Sequence, residues 1–228
     1  MEADVLIIGG GAAGTVAALL LAKAGKHCII LEKNGQIGRK LRITGKGRCN
    51  LTNACDLDTL MANVPRNPKF LYSAFARWMP EDVMAYFEQL GVPLKVERGN
   101  RVFPVSDRAE DIVAALQRAL KRAGIPVYRE TVQQLLLQEG RCTGVQTASG
   151  KQYAANCVLL AAGGASYPAT GSTGDGYTLA KQAGHTIVPP LPALVPLEVQ
   201  EKWCSDLMGL SLRNVSLKLY NGKQCCYD

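Results

Sequence analysis

The chain has 228 residues, 47% of them hydrophobic, enough for one substantial core and part of a second, which excludes a wholly disordered protein. Its 26 Lys and Arg against 19 Asp and Glu give a formal charge of +7. That excess favours anionic ligands without choosing among phosphates, nucleic acid and lipid headgroups. Eight cysteines, at 28, 49, 55, 142, 157, 204, 225 and 226, contain no C-x-x-C pair and have only two histidines for company. This argues against zinc and for reduced thiols in a cytoplasmic protein.

The N-terminal stretch "DVLIIGGGAAGTVAALLLAKAGKHCIILEK" reads as strand, glycine turn, helix and strand. Val5 to Ala22 is an uncharged run of 18 residues, long enough to raise a membrane span. Acidic Glu2 and Asp4 precede it and three glycines divide it, so the soluble reading is preferred. Val5 to Ile8 and Cys28 to Leu31 are apolar runs suited to strands buried on both faces.

Between them, Gly9, Gly11 and Gly14 supply G-x-G-x-x-G. The first allows the tight turn, the second lets backbone approach a pyrophosphate, and the third permits close packing of helix on strand. Ala12 and Ala13 open the helix, whose free N–H groups and positive dipole end favour a diphosphate. Glu32 ends the second strand, where a carboxylate can accept from adenosine ribose hydroxyls and repel a 2′-phosphate. The motif in this setting predicts a dinucleotide site, but by itself does not separate FAD from NAD.

Next comes "KNGQIGRKLRITGKGRCNLTN", with five cations from Arg39 to Arg48. Charge alone would suit a solvated basic face or an RNA patch. A loop leaving the carboxyl end of the second strand instead crosses the ligand crevice, so its cations and amides can meet phosphates and the cofactor's far end. Cys49, beside Arg48, is either a redox thiol or a buried structural one, and the lack of a partner cysteine favours the second.

Residues 68 to 90 read as helical, with Tyr72, Phe75, Trp78, Tyr86 and Phe87 expected in the core. A hairpin turning at Gly99 and Asn100 follows. Asp107 or Ser106 is expected to cap a helix running to about Arg122, with Ile112, Val113, Leu116 and Leu120 on one face. "IPVYRE" reads as a core strand. A three-stranded β-meander comes next, with turns at Glu139-Gly140 and Ser149-Gly150, and then a buried strand from Val158 to Ala161. A meander inserted before the last parallel strand suits FAD domains better than simple NAD dehydrogenases. The fold class is therefore α/β: a Rossmann-like FAD-binding domain with a β-meander crossover over residues 1–190, after which Leu207 to Tyr227 alternate apolar and polar positions as strands with a hairpin turn at Asn221 to Lys223.

"GRKLRITGKGRCNLTN" together with "AAGGASYPATGSTGDGYTLAKQAGH" closely resembles the BaiN/YhiN-type bacterial flavoproteins, aminoacetone-oxidase-like or NAD(P)/FAD-dependent oxidoreductases, across essentially the whole chain. The resemblance implies that Lys33, Arg39 and Lys40 lie along the adenosine diphosphate. It implies that Thr44, Arg48, Asn50 and Thr52 face the ribityl chain or flavin ring and that backbone at Val132 meets the adenine. Ala162, Gly163 and Gly164 would close over the dinucleotide, and Thr173, Gly174 and Asp175 would sit by the flavin at a helix start.

Members of that family are considerably longer and insert a β-rich domain after the "TGSTGDGY" region, so the resemblance implies that residues 191–228, which stop at "LKLYNGKQCCYD", are the start of such a β-rich inserted domain. The resemblance implies an FAD-dependent oxidoreductase transferring a hydride between the flavin and a small organic substrate, an enone or an amine, with NAD(P)H as an electron donor. The alternative is an incomplete dinucleotide-binding fragment without activity of its own. The expected partners are the substrate and the remaining half of the family's length, with neither nucleic acid nor membrane; no metal and no specific catalytic residue is assigned.

Overall fold

A computed structural model of the protein describes residues 2–192, 198–212 and 215–227. The chain divides into two compact units, Met1–Val188 and Pro189–Asp228. No helix of the described residues is long and apolar enough to cross a membrane.

The first unit begins with β1 (Glu2–Ile8), α1 (Ala12–Lys23) and β2 (Cys28–Glu32). All five residues of β2 are buried, as a strand covered on both faces requires. A short helix, α2 (Arg39–Ile43), and a two-residue strand, β3 (Thr52–Asn53), flank the polar loop. Three helices follow: α3 (Leu57–Ala62), α4 (Pro68–Arg77) and α5 (Pro80–Gln89). The antiparallel pair β4 (Leu94–Glu97) and β5 (Arg101–Pro104) turns through Gly99 and Asn100, both at positive φ, and β3 adds to its other edge in the order β3-β5-β4. The hairpin expected from sequence thus becomes a three-stranded sheet that holds the end of the polar loop.

Helix α6 (Ala109–Arg122) carries Glu110 and Asp111 in its first turn and Lys121 and Arg122 in its last, the arrangement favoured by the helix dipole. Its buried face includes Ile112, Val113, Leu116 and Leu120, each contributing about 1.5–3 kcal/mol on burial. Neither Asp107 nor Ser106 caps it: the N-cap is Arg108, and Asp107, at φ 56°, is drawn away into ion pairs with Lys95 and Arg48. Two charged partners outweigh one backbone donor.

The remaining strands are β6 (Val127–Arg129), β7 (Val132–Gln138), β8 (Arg141–Thr147) and β9 (Gln152–Leu160), and α7 (Asp175–Gln182) closes the unit. They form one six-stranded sheet in the order β6-β2-β1-β9-β8-β7. β6, β2, β1 and β9 run parallel, while β7 and β8 are antiparallel, which is the meander crossover of a Rossmann-like FAD-binding domain. The last meander strand and the last parallel strand are one continuous element, β9, pairing β8 through Gln152 to Ala154 and β1 through Ala154 to Leu160. Its final residues are less covered than expected: Val158 and Leu159 are half-buried and Leu160 is 38% exposed.

One core lies on the face covered by α1 and α6, around Ile7, Ile30, Ile112 and Leu116; the other lies between the parallel strands and the meander, around Leu6, Ile29, Leu31 and Val145. Of the expected aromatic core, only Phe87 is fully buried; Phe75, Trp78 and Tyr86 are half-buried and Tyr72 is 55% exposed. No residue of α4 is fully buried, so helical spacing placed these rings on a helix without placing a core beneath it.

The second unit, by itself, contains a 3-10 segment at Lys202–Leu207 and a hairpin of β10 (Leu219–Asn221) and β11 (Gln224–Tyr227) around the expected Asn-Gly turn. Strand expectations starting near Leu207 are met only from Leu219 among the described residues, and residues 213 and 214 lie outside them.

Candidate dinucleotide site

The parallel strands deliver their carboxyl ends to a single crevice, the place where an open α/β sheet binds its ligand. Ile8 and Glu32 end two of them, and the chain turns sharply at Gly9, whose N–H donates to Leu31 O at 2.8 Å. Gly9 adopts φ +107°, and a Cβ there would lie 2.5 Å from Ala161 O. The turn therefore needs glycine on both conformational and steric grounds. A Cβ on Gly14 would meet Gly9 O at 2.0 Å, so this residue lets α1 press against the turn rather than touching ligand. Gly11 differs from both: a Cβ there would meet nothing within 4 Å.

The space beyond is a cavity of about 340 Å³, lined by Gly9, Gly10, Gly11, Ala12 and Ala13 on the turn side. It falls within the roughly 300–1,000 Å³ range of small-molecule sites. The first turn of α1, with N-cap Gly11 and no side-chain cap, presents backbone N–H groups without helical partners to this space. Those N–H groups and the positive end of the helix dipole carry the charge that a diphosphate requires. The same cavity is lined by Glu32, which touches the glycine turn, by Lys33, Asn34, Arg39, Lys40 and Thr44, and by Val132, Ala162, Gly163, Ser172 and Asp175.

Glu32 is held by three protein donors. It is only 8% exposed, and its Oε2 accepts from Gly10 N–H at 2.7 Å. Its Oε1 accepts from both the backbone N–H and the side-chain Nδ2 of Asn34, at 2.8 and 2.7 Å. Asn34 in turn accepts from Arg39 Nη1 through Oδ1 at 2.7 Å. Lys40 Nζ donates to Ser166 O at 2.8 Å. Lys33 Nζ donates to Thr173 Oγ1 and to Asp175 Oδ2, both at 2.6 Å. The hydrogen bond from Lys33 is the largest cause holding the Asp175 carboxyl below its usual pKa, with Thr173 adding to it. These contacts tie the loop before α7 to the end of β2.

The structure thus brings together Gly9, Gly11, Ala12, Ala13, Glu32, Lys33, Arg39, Lys40, Thr44, Val132, Ala162, Gly163 and Asp175 around one space. Gly14 stands behind it. Gly164 and Gly174 are joined by a backbone hydrogen bond of 3.2 Å just outside the wall, and Thr173 reaches the site through Lys33. Asn50 is exposed and Thr52 lies in β3, both beyond the wall.

Arg48 is turned away. It donates to Glu97 at 2.7 and 3.3 Å, lies 3.5 Å from Asp107 and covers the Phe103 ring. Arg42 likewise pairs with Glu110. Of the five cations in this segment, only Arg39 and Lys40 line the cavity. Cys49 is fully buried at φ 59°, and burial is the main cause raising its thiol pKa, as a structural thiol requires.

Asn34, Ser172, Glu130 and Thr131 also line the cavity but carry no sequence assignment. Asn34 sits two residues after the strand-ending acid, a position where a short amide can reach back to the preceding carboxylate. That local pattern was the available signal. Glu130 offers none, because it is brought to the rim only by the parallel pairing of β6 with β2.

Residues 3–226 match the family model described as HI0933-like protein Rossmann domain. The chain is 35% identical over 198 residues to the 3-dehydro-bile acid delta(4,6)-reductase of Clostridium scindens, covering 86% of this chain and 47% of that protein. It is 32% identical over 213 residues to the ribosomal RNA dihydrouridine synthase of Haemophilus influenzae, covering 91% and 52%. The chain therefore spans about half the length of the curated relatives it matches. Among solved structures, a flavocytochrome c3 fumarate reductase in its open conformation superposes with a TM-score of 0.65 at 23% identity, over 80% of this chain and 40% of that one. With its glycine turn, strand-ending acid and meander crossover, the chain belongs to the HI0933-like protein Rossmann-domain family, and its fold is that of a Rossmann-like FAD-binding domain.

Proposed function

We propose that this chain supplies the FAD-holding half of a reductase that saturates a carbon–carbon double bond conjugated to a carbonyl. The observation that carries the cofactor half of this reading is the open cradle at Gly11, flanked by the N-terminus of α1 and the anchored carboxylate of Glu32. The substrate class is supported by the two relatives' names. The double bonds of a delta(4,6) diene conjugated to a 3-keto group and the 5,6 bond of uracil are all alkenes activated by a carbonyl. Amine oxidation draws no support from either name.

FAD supplies the two-electron chemistry, and the chain's own residues bind and orient it. In this reading Ala12 and Ala13 present N–H groups to the diphosphate, with Arg39 and Lys40 adding positive charge. Val132 offers its backbone to the adenine, and Lys33 and Asp175 position polar groups toward the ribityl end. No acid or base in this half is assigned to the reacting bond. The reaction is proposed to need a segment corresponding to the rest of the relatives' length, including the substrate-facing wall.

A second reading, in which the activated alkene is a uracil ring within RNA, is favoured by the Haemophilus influenzae relative and by the net charge of +7. It departs from the expectation of no nucleic-acid partner. The test is anaerobic: photoreduced flavoprotein is mixed with a conjugated steroid dienone or with a uridine-containing RNA, and flavin reoxidation is followed by absorbance. Rapid reoxidation by the dienone supports the first reading and by the RNA the second. A protein that binds no flavin, with or without the relatives' second half, defeats both.

A further inference from the structure

A carboxylate has about four acceptor positions on its two oxygens. In Glu32 three are taken by protein donors: Gly10 N–H on Oε2, and the backbone N–H and Nδ2 of Asn34 together on Oε1. An adenosine ribose brings two hydroxyls, the 2′ and the 3′. We infer that Asn34 restricts the Glu32 carboxylate to a single ribose hydroxyl, accepted at the one remaining position on Oε2, and so sets which sugar hydroxyl this site reads. The inference rests on the cavity being an adenosine site.

Asn34 is well fixed for this positioning role. Its amide is oriented from both ends, because Nδ2 donates to Glu32 while Oδ1 accepts from Arg39 at 2.7 Å. A flipped amide would set its oxygen against the carboxylate and its NH2 against the guanidinium, two like-with-like contacts, so only one orientation is stable. The loop before α7 presses on it from the third side: Gly171 is at φ +99°, and a Cβ there would lie 2.4 Å from Asn34 Nδ2. With the amide locked, Oε1 has no capacity left for ligand. The second hydroxyl must face water or another group on the rim.

The measurement is calorimetric binding of ADP, 2′-deoxy-ADP and 3′-deoxy-ADP to the purified chain, which needs no turnover. With the native residue, one deoxy analogue should bind about tenfold more weakly than ADP, since a hydrogen bond to a charged acceptor is lost, and the other within about twofold. In Asn34→Ala the Oε1 position is freed, and both analogues should then bind several-fold more weakly than ADP. A native protein that discriminates against both analogues overturns the inference. So does a variant whose affinity falls equally for all three ligands with the native pattern kept, which is what mere structural support would produce. Failure of ADP itself to bind the native chain also overturns it, but by removing the adenosine reading, and is distinguished by the absence of any heat.

Discussion

Arg48 donates to both carboxylate oxygens of Glu97, at 2.7 and 3.3 Å, while its guanidinium carbon lies 3.8 Å from the centre of the Phe103 ring. This fastens the polar loop to the hairpin of β4 and β5 rather than to the cavity. Lys95 extends the cluster by bridging Glu97 and Asp107 at 3.3 and 2.6 Å. The loop it restrains is conformationally costly, since Lys46 and Cys49 both hold positive φ without being glycine. Such backbone persists only where surrounding contacts determine it.

That cluster should make the loop's protection depend on pH. The Arg48 hydrogen bond is the largest cause lowering the Glu97 pKa, and the Lys95 hydrogen bond is the largest lowering that of Asp107. Carboxyls depressed in the folded state contribute stability that is present above their unfolded pKa and lost as pH falls through the folded value. Amide protection factors over residues 44–53, corrected for intrinsic exchange, should therefore be flat near neutrality and drop below the ordinary carboxylate range. Arg48→Ala should lower them throughout. Protection that stays constant in acid, or survives Arg48→Ala, would show that the ion pairs do not hold the loop.

The thiols give a second check. Cys49 is fully buried and its pKa is raised chiefly by burial, with a smaller opposing hydrogen bond to Thr44, whereas Cys157 is exposed. Thiolate fraction and access both govern alkylation. In native protein at about pH 7.5, a maleimide should modify Cys157 at least tenfold faster than Cys49, as read by peptide mass spectrometry. Equal rates would contradict the burial of Cys49 and reopen the redox reading.

What the sequence disclosed was mostly local. The steric demands on Gly9 and Gly14 were readable because each answers a constraint imposed by neighbours within one strand–turn–helix–strand unit. The meander was readable from turn pairs such as Glu139-Gly140 and Ser149-Gly150, and β7, β8 and β9 bear it out. The ion pairs of Arg48 and Asp107 were not readable because their partners, Glu97 and Lys95, lie 49 and 12 residues away, respectively. Net positive charge in a segment says nothing about which cations an acidic neighbour has already neutralised. Tyr72 illustrates the same limit for packing: helical spacing defines a face, but only tertiary placement decides whether anything covers it.

The two glycines that differ most in surroundings separate scaffold from ligand contact. A methyl at Gly14 would be driven to 2.0 Å from Gly9 O and 3.1 Å from Ile7 Cγ2, and backbone of a tight turn cannot give way cheaply. Gly14→Ala should cost about 2–4 kcal/mol. In a chain of this length that is a fall in Tm of about 5–15 °C. Gly11 is at φ −79°, ordinary for any residue, and its added methyl meets no protein atom within 4 Å. Gly11→Ala should therefore leave Tm within about 2 °C, yet place a methyl where a diphosphate would approach the first turn of α1, weakening ADP binding by about tenfold or more. Thermal melts and ADP calorimetry on the two variants decide the matter. If Gly11→Ala binds ADP as the native chain does, the diphosphate does not lie against this turn. If Gly14→Ala melts unchanged, the close contact of helix and turn is not what requires glycine there.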